Sequence, residues 1–176
     1  MEEDTPEEIT EKNKRELLEF CFKEGKENIR FHLEKTEHLA RDSTITLNFI
    51  ISFGGASLFG LVNFIGDGRY NIAVGLGILI LYLLGVALLL VKKCLSIRPI
   101  APPANDPKNL FKIQIDLNRL RQDQIMVDEL EGLDSRIQYN AKRNAETGKW
   151  LNRVKYMIFA SPFIFWGAYL SSGSLA

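Results

Sequence analysis

Two ladders of polar residues stand out in this chain by residue type and spacing. In the first, Asn48, Ser52, Ala56 and Gly60 recur at four-residue intervals, flanked by Gly55 and Asn63, in a stretch otherwise built of Phe, Ile and Leu. That interval places them on one face of a helix. In an apolar setting such a face has two uses. It lets helices approach closely, or, with several copies turned inward, it lines a water-filled path with amide and hydroxyl groups. Phe49, Phe53 and Phe59 lie beside it and would suit a gate that closes by dewetting. In the second ladder Arg136, Asn140, Asn144, Gly148 and Asn152 repeat at the same interval. Around it Arg136, Lys142, Arg143, Lys149, Arg153 and Lys155 face a single acid, Glu146. Guanidinium groups suit phosphate and amides suit base edges. Arg136, Asn140, Lys142, Arg143 and Asn144 are therefore the expected ligand-binding or gating residues. Attraction to anionic lipid headgroups, or pairing with acids elsewhere in the chain, would use the same charges.

No catalytic set accompanies these ladders. The sequence has no Gly-rich phosphate loop, nucleophile elbow, CxxC pair or HExxH pattern. His32 and His38 are six residues apart and so fall roughly 120° apart around a helix, with Arg30 nearby. They read as surface histidines rather than metal ligands or an acid–base pair. Cys94 could carry a palmitoyl group in a eukaryote, but a plain structural thiol is the simpler reading. No cofactor or metal is expected, and the chain is not read as an enzyme.

The elements that must carry the ladders follow from where charge is missing. The 176 residues hold 22 Lys+Arg and 22 Asp+Glu, yet only Asp67 and Arg69 interrupt 43–91, and none falls in 156–176. The stretches 44–65 and 72–91 each reach roughly the 20 apolar residues needed to cross a bilayer as a helix. The turn formers of 66–71 between them predict a tight hairpin. A third apolar stretch, 156–172, is shorter and contains Pro162; a span is favoured over a re-entrant or interfacial helix, because Trp166 and Tyr169 suit a membrane boundary. Lys92, Lys93 and Arg98 follow the second span, and Lys149, Arg153 and Lys155 precede the third, so these flanks and the N-terminus are expected in the cytoplasm. The acidic start lacks a signal-peptide pattern, which predicts permanent anchoring.

Outside the spans the pattern stays helical. Residues 1–43 read as one helix opened by a capping box, Thr5-Pro6-Glu7-Glu8, with Gly25 as a place to bend. This arm carries 13 acidic and 8 basic residues. A Pro-rich linker, 92–107, ends at Asp106 and Pro107, which should cap and open a second helical region, 108–155, with Gly132 as a place to break. There Ile113, Leu117, Leu120, Val127, Leu130, Leu133, Ile137 and Ala141 keep helical spacing. Residues 92–155 hold 13 basic and 8 acidic residues, which suits packing against the acidic arm.

The expected fold is an all-α integral membrane protein: an N-terminal cytoplasmic helix, a two-span transmembrane hairpin, a cytoplasmic helical stalk and a short third transmembrane helix, assembled as an oligomeric bundle. With no ionisable residue in a span and no room for inverted repeats, a coupled transporter is disfavoured. This layout, and the segment from Leu133 to Leu151 before the last hydrophobic element, resembles small bacterial membrane effectors of phage defence: the SLATT-type proteins, the Pycsar membrane effectors and the Hailong membrane component. The resemblance implies an oligomeric pore or membrane-disrupting protein in a bacterial inner membrane; the expected assembly is a homo-oligomeric channel of about four copies. The resemblance also implies control by a nucleotide or oligonucleotide made by a partner enzyme. The rival expectation is a non-conducting membrane scaffold that recruits a soluble partner through its cytoplasmic helices.

Overall fold

The computed structural model describes residues 6–96, 100–102 and 122–173, with side chains over 13–96, 100–102 and 126–172. Thr5 of the capping box, the Asp106–Pro107 helix start and the stripe from Ile113 to Leu120 lie outside these residues. Every regular element among the described residues is helical: α1 spans Pro6–Gly66, α2 spans Tyr70–Leu90 and runs into a π-helical turn at Val91–Leu95, and α3 spans Gln122–Gly173. Two helical stretches, Asn13–Gly66 and Tyr70–Leu95, are long and apolar enough to cross a membrane. Only 17% and 28% of their most apolar windows are buried, whereas the core helix of a soluble protein is mostly buried.

The described part of α1 opens on Pro6, whose missing N–H costs nothing in the first turn of a helix. It ends in a Schellman turn: Arg69 N donates to Phe64 O at 2.9 Å and Gly68 N to Ile65 O at 3.1 Å. Gly68 takes the left-handed conformation that this turn needs, φ +71°. The hairpin connection is thus shorter than 66–71, because α2 resumes at Tyr70. Gly132, expected as a place to break, lies inside unbroken helix, and the helix also runs on through Gly25. Likewise the stalk and the third apolar stretch, expected as separate segments, form one helix through Pro162.

The chain divides into two compact units, one of Met1–Thr36 with Pro99–Asn144, the other of Glu37–Arg98 with Ala145–Ala176. In the first, Ile29 and Leu133 are buried. Leu133 packs into the space that Gly25 leaves free, so close that a Cβ on Gly25 would stand 2.5 Å from Leu133 Cδ2. In the second, Ile50, Leu79, Leu83, Val86, Leu90, Leu151 and Val154 form one apolar core between α1, α2 and α3. Gly75 lets Phe165 approach to 3.1 Å from where a Cβ would sit, and the Tyr82 hydroxyl donates to Met157 O at 2.9 Å. Burial of this aliphatic set drives the packing, with the small residue setting how near α2 and α3 come.

Candidate functional site

The polar face of α1 divides along its length: Asn48 and Ser52 stand clear of α2 and α3, whereas Ala56 and Gly60 border an apolar cavity shared with Leu76 and Phe165. Asn48, Ser52 and Ala56 are exposed, and only Gly60, at the end of the series, is half-buried, with Leu76 Cδ1 3.4 Å from where a Cβ would sit. The face that packs is a neighbouring one, carrying Ser43, Thr46, Ile50 and Ser57. Its hydroxyls satisfy themselves by donating one turn back: Ser43 to Leu39 O at 2.7 Å, Thr46 to Asp42 O at 2.8 Å, Ser57 to Phe53 O at 2.8 Å. Asn48 and Ser52 have no such bond among the described residues. Phe49, Phe53 and Phe59 are exposed with them, Phe59 at 72%, and the Phe49 and Phe53 rings stack with centroids 6.1 Å apart.

The second ladder is fastened within the chain. Asn140 is fully buried and holds both ends of the Ala101 backbone: Ala101 N donates to its Oδ1 and its Nδ2 donates to Ala101 O, each at 3.2 Å. Asn144, also buried, donates to His32 O at 2.7 Å, and its Oδ1 lies 2.9 Å from the Thr36 hydroxyl. That hydroxyl is equally close to His32 O and gives its one proton to either. Arg136 is held by Glu129 at 3.2 Å and donates through Nε to Gly132 O at 2.9 Å. Lys142 is exposed and Arg143 half-buried. Among the described residues Nη1 of Arg136, Nη1 of Arg143 and Nδ1 of His32 are buried without a hydrogen-bond partner. Of the five expected ligand residues, Asn140 and Asn144 are thus committed to tying segments of the first unit together and Arg136 is bonded within α3, while Nη1 of Arg136, Nη1 of Arg143 and the Lys142 ammonium have no hydrogen-bond partner among the described residues. His38 is exposed away from His32, and no group of three or more His, Cys, Asp or Glu side chains gathers among the described residues.

Sequence spacing gave no hint of a third cluster, because its members come from distant segments. At the π-helical turn Lys93 Nζ lies 5.1 Å from the Trp150 ring centroid, and Arg153 stacks on the same indole at 4.8 Å. Cys94 Sγ reaches Thr147 O at 3.8 Å, and Lys155 pairs with Asp42 at 3.7 Å.

Two cavities lie beside these clusters. One of about 390 Å³ is almost wholly apolar, lined by residues that include Ala56, Gly60, Phe64, Leu76, Phe165 and Trp166. The other, about 590 Å³, lies in the first unit, between Gly25, Asn28 and Phe31 of α1 and Leu130, Leu133 and Ile137 of α3.

No family model, curated protein or solved structure matches this chain. Function must therefore be argued from these side chains alone.

Proposed function

We propose that the chain is a homo-oligomeric membrane channel in which the exposed polar face of α1 surrounds the conduction path. One observation carries this reading. Asn48 and Ser52 lie on an exposed face of an otherwise apolar helix and have no side-chain hydrogen bond among the described residues. An amide or hydroxyl left unpaired in hydrocarbon costs several kcal/mol, on the order of 2–7. A second copy of the same face, or water inside a ring of copies, removes that cost. The small side chains of Gly55 and Ala56 allow the close approach that either arrangement needs. About four copies would make the ring, with the 156–172 stretch of α3 as a third crossing and the N-terminus in the cytoplasm.

In this reading no bond is made or broken. The path is uncharged and weakly selective, and opening it dissipates the membrane potential of a bacterial inner membrane, as a phage-defence effector would. The first unit is the gate or sensor, with Lys142 and Arg143 as the contacts for a phosphate-bearing nucleotide or oligonucleotide. Such a ligand shifts the gate only by binding one state better than the other.

Thiol accessibility tests the path. In a chain with Cys21 and Cys94 replaced by serine, Ser52→Cys in vesicles should react with a water-soluble thiol reagent. Leu81→Cys, on a side chain that is 70% exposed on α2, should not. Equal inertness of both would remove the hydrated path.

A scaffold is the second reading, supported by Leu17, Phe20 and Phe31, which are 61%, 60% and 58% exposed on the N-terminal half of α1. Stable co-purification of one soluble protein without conductance would favour it.

A further inference from the structure

We infer that Lys93, Trp150 and Arg153 form a seat for the phosphate of an anionic phospholipid headgroup. The inference rests on the reading above that the apolar stretch ending near Val91 crosses a membrane. Val91–Leu95 is wound as a π-turn, which places one more residue in the turn than an α-helix would and re-aims the side chains that follow. Cys94, 3.8 Å from Thr147 O, ties that turn to α3. Lys93 is thereby brought over one indole, Trp150, which also receives Arg153 from one turn further along α3. The shared aromatic ring holds two cations together that would otherwise repel, each attracted to the ring quadrupole.

Among the described residues most of these charges have no ion-pair partner. Lys155 is paired with Asp42, but among the described residues Lys92, Lys93, Lys149 and Arg153 have no acidic partner. Their position fixes the kind of anion. Lys92 and Lys93 come just after Leu90 in sequence, and Lys149 and Arg153 sit beside Leu151 and Val154; Leu90, Leu151 and Val154 all belong to the buried apolar core. An indole at the edge of an apolar bundle belongs at headgroup depth. An anion there that is bound to a lipid needs no recruitment from solution, so the phosphate of a phospholipid is the occupant.

The test uses the full-length chain with Trp166→Phe, which leaves Trp150 as the only tryptophan of the two. The chain is inserted into phosphatidylcholine vesicles with and without phosphatidylglycerol, and lipids retained after detergent extraction are weighed by native mass spectrometry. Phosphatidylglycerol should be retained in preference to phosphatidylcholine, and Trp150 emission should shift with its content. Replacing Lys93 or Arg153 by alanine should weaken that preference about fivefold each, while Lys155→Ala, a charge already paired, should change it less. Equal retention of both lipids by the wild-type residues, or an undiminished preference in the Lys93→Ala, Arg153→Ala chain, overturns the site. An equal emission shift with inorganic phosphate alone overturns the lipid in favour of a soluble anion. Failure to insert into either vesicle overturns the membrane reading itself, and the lipid site with it.

Discussion

Asn140 grips Ala101 by both backbone groups, N–H and C=O, at 3.2 Å each. A side-chain amide here does what a neighbouring strand would do for an extended segment, and it does so from a fully buried position on α3. Removing it with Asn140→Ala leaves two backbone groups unpaired, each worth about 1–3 kcal/mol when buried. Thermal unfolding of the detergent-solubilised chain should begin at lower temperature, and Asn140→Asp, which keeps the acceptor but loses the donor, should fall between. An unchanged transition for Asn140→Ala would show that the grip contributes nothing.

Asn144 makes the matching connection to α1, through His32 O at 2.7 Å and the Thr36 hydroxyl at 2.9 Å. A double-mutant cycle of Asn144→Ala and Thr36→Val should give a coupling energy of roughly 0.5–3 kcal/mol. Additive losses would mean the hydroxyl spends its proton on His32 O alone.

Glycines distinguish packing inside the chain from the packing between copies that the proposed channel requires. Nothing lies within 4 Å of a Cβ on Gly55, whereas one on Gly75 would meet Phe165 at 3.1 Å. Gly75→Leu should therefore lower the stability of the monomer by forcing α2 from α3, at about 1–3 kcal/mol. Gly55→Leu should leave unfolding in detergent nearly unchanged and lower the oligomer mass seen by light scattering. An intact oligomer in Gly55→Leu would place the contact between copies elsewhere.

The two arginines of the second ladder should part ways. Arg143→Glu should alter the response to a phosphate-bearing ligand while conductance persists. Arg136→Glu should also destabilise the first unit, since it sets a second carboxylate against Glu129, now 3.2 Å from the Arg136 guanidinium. Matching stability and matching regulation in both variants would reduce the ladder to a stalk.

The parts legible in the sequence were those written in local periodicity. Apolar runs without charge marked the two long apolar helices, and Gly66 to Asn71 marked the turn between them, because both signals lie within a few residues of the structure they dictate. What stayed hidden depends on distant partners. The spacing of Asn140 and Asn144 was legible as a polar face, but Ala101 and His32, which receive those amides, have no local relation to it. Gly132 looked like a break, yet the helix continues and its carbonyl accepts a bond from Arg136; the role of Gly25, whose missing side chain makes room for Leu133, depends on that distant partner. Pro162 sits inside α3 rather than ending it, a position tolerated in apolar helices where neighbours compensate the lost bond. Trp150 was unremarked because Lys93 reaches it only through a π-turn that periodicity does not announce.

The most direct test of the central claim is single-channel current in a planar bilayer, comparing the purified chain with the Asn48→Leu, Ser52→Leu variant. Discrete conductance steps are expected from the wild-type chain, and their loss in a variant that still assembles. Silence from a folded, oligomeric wild-type protein, or unchanged steps in the variant, would contradict it.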